Sequence, residues 1–150
     1  MNIVKNIDQY SENYVIFCDP IKNNVMTDGN FIRIIYSTEH VSIYGIYLML
    51  PFCDVTCDKY YLKYRCNFNV AKNKKIIDSI KTIEESLLQK YEIAEKTPQL
   101  KIYEQLQNGN IKLFSDIGNR PAVTFILKIS GIWETQFNYG LTYKFLTETL

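Results

Sequence analysis

The segment of residues 59–77 concentrates positive charges and aromatic rings. It holds six basic residues, no acidic residue and four rings: Lys59, Lys63, Arg65, Lys72, Lys74 and Lys75 with Tyr60, Tyr61, Tyr64 and Phe68. Cations contact phosphates and exposed rings stack on bases, and together they give sequence-tolerant binding of single-stranded nucleic acid. The alternative is a solvated strand edge and helix start, where lysines prevent edge-to-edge pairing between molecules. On the residues alone both interpretations stay open.

The residues that common enzymatic sites need are missing. The sequence has a single histidine, His40, and no Gly-x-Ser-x-Gly, phosphate-binding glycine loop or paired zinc-ligand spacing. Cys53 and Cys57 come closest to a metal motif. A structural zinc needs four N or S ligands, and only Cys18, Cys66 and His40 remain to complete them. We therefore predict a protein that is not an enzyme, with no catalytic residue, no metal and no cofactor.

Length and composition limit the class of protein. At 150 residues and 47% hydrophobic content, the chain can bury a full core as one domain. Its net charge of +1 gives no overall attraction to nucleic acid, so only a local pattern of charge could provide it. Four cysteines, a polar start (MNIVKNIDQY) and the absence of an Asn-x-Ser/Thr sequon predict an intracellular protein with reduced thiols. No apolar run approaches the ~20 residues of a membrane span, so we expect no membrane partner.

Residues 122–146 are predicted to form two long strands joined by a short polar loop. Alternation in the first strand places Lys128 on one face and these residues on the other: Phe125, Leu127, Ile129 and Trp133. In the second strand, Lys144 points away from the aromatic face. Gly131 inside a strand pattern predicts a bulge, a barrel bend or a close backbone approach. We therefore expect a strongly bent hairpin.

The remaining elements follow from hydrophobic periodicity. Strands are predicted at 14–18, 31–36, 41–47, 60–68 and 111–114, with a crossover loop over 48–58. Arg33 is expected on the same side as Phe31 and Ile35. The strand at 60–68 should direct alternate residues to the core: Tyr60, Leu62, Tyr64, Cys66 and Phe68.

Helical periodicity is expected in two places. Residues 71–95 predict a long amphipathic helix, and residues 100–107 a short one with Thr97 as N-cap and Pro98 at its first position. The predicted fold class is α+β, a single domain over 1–150. Its mainly antiparallel sheet of six or seven strands curls into an OB-like barrel over 14–146, and residues 1–13 form a loose arm or a short edge element.

Several short motifs occur in a distinctive order along the chain. FCDPIKN and GNFIRIIY come first, followed by a strand ending YLMLPF, an aromatic strand, an amphipathic helix and a closing ISGIWETQFNYGLTYKF. From about Tyr14 to Leu146 this order resembles the single-stranded-DNA-binding proteins of large DNA viruses of eukaryotes. The resemblance implies an OB-fold protein that coats single-stranded DNA during viral replication, repair or recombination, without a cofactor. It also implies a location in the host cytoplasm or nucleus at sites of viral replication.

The candidate nucleic-acid contacts are cations and rings: Arg33, Tyr44, Tyr61, Lys63, Arg65, Lys128, Trp133 and Lys144. Trp133 is chosen because it ends its strand beside a loop and follows Gly131, whose missing side chain lets a partner approach. For Trp133, a buried position at the barrel end is the alternative. The expected partner is single-stranded DNA, with RNA an alternative because nothing in the sequence identifies a 2′-hydroxyl reader. A homo-oligomer and contacts with replication proteins are further expectations.

The competing hypothesis is a virion-associated or scaffold interaction module that binds no nucleic acid. Its surface aromatics would anchor a protein interface. The near-zero net charge and an apolar face formed by Ile43, Gly45 and Tyr47 favour it.

Overall fold

The structure, a computed structural model, describes residues 3–22, 29–61, 63–113 and 124–147. Within these ranges the chain forms an α+β fold with two helices, α1 (Lys74–Lys90) and α2 (Lys101–Gln107). The strands are β1 (Val15–Phe17), β2 (Ile21–Lys22), β3 (Asn30–Ser37), β4 (Ser42–Tyr44), β5 (Ile46–Leu50), β6 (Thr56–Tyr60), β7 (Lys63–Asn67), β8 (Thr97–Gln99), β9 (Asn110–Leu113), β10 (Phe125–Glu134) and β11 (Asn138–Thr147).

The strands form two sheets. In the eight-stranded sheet, hydrogen-bonded neighbours follow the order β1-β3-β10-β11-β8, while β2 and β4 also pair with β3, and β5 pairs with β10. The second sheet has the order β6-β7-β9. The β8–β11 pair is parallel and the other pairs between these strands are antiparallel. The larger sheet curls into a half-barrel consistent with the predicted OB-like barrel.

Strand β10 changes partner halfway along its length. Its residues 125–129 pair with β5 and its residues 131–134 pair with β3. The register with β11 shifts between Ile129 and Gly131, as a β-bulge does. A Cβ on Gly131 would overlap the carbonyl oxygen of Ile32, so only glycine allows this approach. The bulge and close approach predicted from Gly131 are confirmed, and they bend the hairpin.

The bulge also reverses which face the end of β10 presents. Phe125, Leu127 and Ile129 are buried in the core, and Ile132 is buried there too. Trp133 therefore lies on the opposite face. The prediction that Trp133 shares a face with Phe125 is wrong, because one extra residue at a bulge shifts the alternation by one.

Gly45 divides the strand predicted over 41–47. Its φ is 89°, and its N–H donates to the carbonyl oxygen of Ile34 at 2.8 Å. Because glycine accepts this backbone conformation readily, the chain turns away from β3 here and continues as β5 along β10. The single predicted strand is thus two strands with different partners.

The core lies between one face of the larger sheet and α1. The predicted long helix is confirmed with shorter bounds, and its buried stripe follows helical spacing. The buried residues of α1 are Ile77, Ile80, Ile83, Glu84, Leu87 and Leu88. Those of β3 and β5 include Ile32, Ile34, Ile46, Leu48 and Leu50.

Helix α2 begins later than predicted. Thr97 and Pro98 belong to β8, which pairs in parallel with β11, so the predicted helix cap at Thr97 is wrong. The first turn of α2 is instead satisfied by the buried carboxylate of Glu84, which accepts hydrogen bonds from the N–H groups of Ile102 at 3.0 Å and Tyr103 at 2.9 Å. Burial raises the pKa of Glu84 to about 7.

Strands β6 and β7 form a hairpin where one strand and a crossover loop were predicted. Tyr60 lies opposite Lys63, so the connection spans two residues, and Tyr61 in it has a φ of 57°. Tyr60 was predicted to face the core, but its side chain is 65% exposed because the chain reverses immediately after it. Leu62 lies outside the described residues.

The inward side of this hairpin matches the prediction in its second half. Cys66 and Phe68 are buried and Tyr64 packs against the core. Cys57 and Cys66 lie directly opposite, with Cα atoms 4.0 Å apart, and form a disulfide. The expectation of reduced thiols is wrong for this pair. Cys57 was predicted to lie in a loop and Cys66 in a strand, so the hairpin register that brings the two sulfurs together was not anticipated. The described ranges hold no group of three His, Cys, Asp or Glu side chains placed to bind a metal.

Residues 3–13, expected as a loose arm or a short edge element, run beside β5. Lys5 donates its N–H to the carbonyl oxygen of Tyr47 at 2.9 Å and accepts from the N–H of Met49 at 2.8 Å. Two 3-10 turns follow, Ile7–Gln9 and Glu12–Tyr14. Neither α1 nor α2, the two α-helices of the described ranges, has the length and apolar character that crossing a membrane requires.

Candidate functional site

The larger sheet has an outer face, opposite the one that packs on α1. Directly opposite residues of antiparallel strands share a face, and alternate residues of one strand point to opposite faces. Since Ile32 and Ile34 are buried, Arg33 between them points outward and is exposed. The strand registers bring seven candidate residues to this outer face: Phe31, Arg33, Tyr44, Tyr47, Lys128, Trp133 and Lys144.

Arg33 and Tyr44 form the first cation–ring pair. The guanidinium carbon of Arg33 lies 4.7 Å from the centroid of the Tyr44 ring, and Tyr44 is 65% exposed. A guanidinium over a ring is held by the ring quadrupole, while its N–H groups still point to the sides. The contact fixes a positive charge close to the sheet surface.

Lys128 and Tyr47 form the second pair. Their ammonium nitrogen and ring centroid are 5.5 Å apart. A Cβ on Gly45 would lie 3.7 Å from Cε of Lys128, so the lysine side chain runs past this glycine. Tyr47, Lys128 and Lys144 stand directly opposite one another across β5, β10 and β11. This row places two lysines on neighbouring strands, with the Lys128 ammonium group leaning toward Tyr47.

Phe31 and Trp133 place two rings directly opposite each other on β3 and β10. Each ring lies over a glycine: a Cβ on Gly131 would be 2.8 Å from Phe31 ring carbons, and one on Gly140 would be 2.7 Å from the Trp133 ring. Both side chains are partly exposed. The two glycines thus leave room for the rings to lie against the backbone. Trp133 therefore lies partly exposed on the outer face, and not buried at the barrel end as the alternative proposed.

The acidic residue next to Trp133 is already paired. The carboxylate of Glu134 accepts from Nδ2 of Asn30 at 2.9 Å and lies 3.3 Å from the ammonium group of Lys96. Alternation directs Glu134 to the face opposite Trp133, so its carboxylate does not lie among the rings of the outer face.

The other three predicted residues lie on a different surface. Tyr61, Lys63 and Arg65 belong to the β6–β7 hairpin of the second sheet. Arg65 stands between Asp58 and Lys112 in the register. The structure therefore divides the eight predicted residues between two surfaces, five on the outer face and three on the hairpin.

Sequence reasoning missed Phe31 and Tyr47 as candidate contacts. Phe31 was placed correctly on the side of Arg33 but was not considered as a stacking ring. Tyr47 was assigned to an apolar face with Ile43, because a continuous strand over 41–47 was assumed. Gly45 carried the signal, since a glycine inside a strand pattern often marks a break.

No protein-family model, curated protein or solved structure matches the chain. The resemblance to viral single-stranded-DNA-binding proteins therefore stays a prediction. Function has to be inferred from the chemistry of the outer face.

Proposed function

We propose that the protein binds single-stranded DNA along the outer face of its larger sheet, as a binding protein and not as an enzyme. One observation carries the proposal: two cation–ring pairs, Arg33 with Tyr44 and Lys128 with Tyr47, share an exposed face with the Phe31 and Trp133 rings. Cations that track phosphates and rings that stack on bases are the two components of single-strand binding.

The arrangement favours single strands over duplexes. Stacking between a base and an aromatic side chain is worth about 1–3 kcal/mol per base, and it requires an exposed base face. A duplex hides its base faces in the helical stack. Every base has such a face, so stacking gives little sequence preference. With a net charge of only +1, the attraction comes from this local cluster and should be strongly salt-dependent.

The biological setting follows from the resemblance of the motifs. On this basis we propose a role in viral DNA replication, repair or recombination, in the host cytoplasm or nucleus. Contacts with replication proteins, self-association on the DNA and preference for DNA over RNA belong to the same proposal.

A fluorescence-polarisation titration with a 30-base oligo(dT) at low salt tests the proposal. We expect binding by the wild-type protein, and binding at least tenfold weaker for the double variant Arg33→Ala/Lys128→Ala. The matched control is Lys101→Ala, because Lys101 lies on α2 beside Glu104 and its loss also removes positive charge. The absence of binding by the wild-type protein at low salt would disprove the proposal.

Exposed apolar residues on the same face favour a second candidate, a protein-interaction module. Ile16 and Ile21 are 50% and 56% exposed, and they lie opposite Ile35 and Phe31. Apolar anchors of this kind are typical of interface centres. Light scattering distinguishes the two: a stable oligomer that is unaffected by oligonucleotide and by salt supports the interaction module.

A further inference from the structure

The tip of the β6–β7 hairpin holds two aromatic rings in solvent. Tyr60 is 65% exposed and Tyr61 is 82% exposed. Their ring centroids are 4.7 Å apart and the planes meet at 76°, so one ring supports the other edge-on. Burying an aromatic side chain stabilises a folded protein, and these two exposed rings contribute little in this way.

Tyr61 is also in an unfavourable backbone conformation. Its φ of 57° lies in the left-handed region, where glycine and asparagine are the usual hairpin-turn residues. Among the described residues, Asp54 and Glu95 also have a φ in this region. Exposure and backbone strain thus coincide at Tyr61, and a strained residue that does not serve packing points to a function for its side chain.

The hairpin strands that carry the two rings also carry basic residues. The hairpin carries Lys59, Lys63 and Arg65, and Asp58 is its one acidic residue between positions 56 and 67. The register puts Lys63 opposite Tyr60 and Arg65 opposite Asp58, on the same side of the hairpin. An anionic ligand with flat apolar groups matches this surface better than an apolar protein segment does.

We propose that this hairpin tip is a second nucleobase-binding site, separate from the outer face. Tyr61 stacks on an exposed base face, Tyr60 supports the Tyr61 ring, and Lys63 and Arg65 contact the neighbouring phosphates. The disulfide and the pairing with β9 hold the base of the hairpin, so little order has to be gained on binding. The inference rests on the proposed function in taking nucleic acid as the ligand.

Exposed base faces occur in two places, on unpaired bases and at the terminal pair of a duplex. Three DNA probes separate them: oligo(dT), a blunt-ended hairpin duplex, and the same duplex with an oligo(dT) tail. Dependence on Tyr61 with oligo(dT) alone identifies unpaired bases as the ligand. Dependence that is seen only when a duplex end is present identifies the terminal pair.

The main variant is Tyr61→Asn, which removes the ring and suits the left-handed backbone. We expect an equal or higher Tm, together with binding about tenfold weaker for the probe that the site prefers, the size of effect one stacking contact gives. Tyr61→Phe keeps the ring and should bind as the wild type does. Tyr61→Gly is a second ring-free variant that the turn accepts.

Unchanged affinity of both ring-free variants for all three probes would overturn the inference while leaving the outer-face proposal intact. If the wild-type protein binds none of the probes, both proposals fail. The variant Arg33→Ala/Lys128→Ala completes the design: if the sites are separate, its remaining binding still depends on Tyr61. A loss of self-association by Tyr61→Asn, without any change in DNA binding, assigns the tip to protein contact and rejects the nucleobase site.

Discussion

Lys128 and Lys144 show how single residues could tune binding on the outer face. They stand directly opposite each other on β10 and β11. Like charges at such positions repel and destabilise the strand pair slightly. A phosphate between them would replace this repulsion with two charge-assisted hydrogen bonds. The same two side chains would thus destabilise the free protein by their repulsion and stabilise the complex by their hydrogen bonds to the phosphate.

Replacing either lysine by alanine should therefore weaken oligonucleotide binding without lowering Tm. For each variant we expect the slope of log K against log salt to fall by about 0.7, the value for one phosphate contact on a single strand. Titrations at several salt concentrations measure the slope, with Lys101→Ala as the control. An unchanged slope in both variants would remove the two lysines from the site.

The single tryptophan provides a direct probe of the outer face. Trp133 is partly exposed over Gly140, so a base stacked on it should quench its fluorescence. We expect quenching that saturates together with the polarisation signal. Arg33→Ala/Lys128→Ala should need more oligonucleotide for the same quenching. Unchanged emission at saturation would place Trp133 outside the binding path.

Glu84 predicts a pH dependence of stability. Its folded-state pKa of about 7 lies above the ordinary value of 4.5, mainly because of burial, so between these values the folded protein keeps a proton that the unfolded chain releases. The free energy of unfolding should therefore fall as pH rises from about 4.5 to about 7, and level off above. The loss is at most about 3.5 kcal/mol, at about 1.4 kcal/mol per pKa unit. Urea unfolding across this range measures it.

Glu84→Gln is the control for this pH dependence. Glutamine cannot ionise, and it offers one oxygen to the N–H groups of Ile102 and Tyr103, whereas the Glu84 carboxyl group uses both of its oxygens. The fall in stability over this pH range should become much smaller, and stability at pH 5 should drop by about 1–2 kcal/mol for the lost acceptor. If the variant keeps the full wild-type pH dependence, another group is responsible.

Among the elements, β10 depends most on one position. A Cβ on Gly131 would meet the Ile32 carbonyl and the Phe31 ring, and backbone cannot give way as a flexible side chain can. Gly131→Ala should therefore destabilise the protein by about 1–3 kcal/mol or more, the range for overpacked sites. The matched control is Ser130→Ala, which adds no atom next to the same bulge. Equal stability of the two variants in urea would contradict the geometry.

Local patterns were enough to predict the elements with strong periodicity. The β10–β11 hairpin and α1 carry long alternating or helical patterns, and Gly131 marks the bulge directly. The faces after the bulge were predicted incorrectly, because the position of the inserted residue cannot be read from alternation alone. A shift of one residue is enough to exchange Ile132 and Trp133 between the core and the outer face.

Other elements depend on contacts that are distant in sequence. Thr97 and Pro98 form a good local helix cap, yet pairing with β11 makes them a strand. The turn at Tyr61 has neither glycine nor asparagine at its first position, so no local signal indicated the hairpin. The residue types at the candidate sites could be predicted from sequence, but their division into two surfaces required the strand pairing.

Across the whole molecule, a net charge near zero coexists with two positive surfaces. Several acidic residues are paired with lysines, such as Asp54 with Lys72 and Glu134 with Lys96. The positive residues of the two proposed sites would therefore attract an anionic ligand through local charge and not through the net charge. In both proposed sites the positive charge is local, on a chain whose net charge is +1.

The pairing of β3 with β10 sets the order in which the outer face can arise during synthesis. Arg33 and Gly131 are partners although about a hundred residues separate them in sequence. A growing chain therefore carries Arg33 and Tyr44 long before the strand that brings Lys128 and Trp133 beside them leaves the ribosome. Contacts this distant also form slowly. The outer-face site, as proposed, therefore cannot form before β10 has been synthesised.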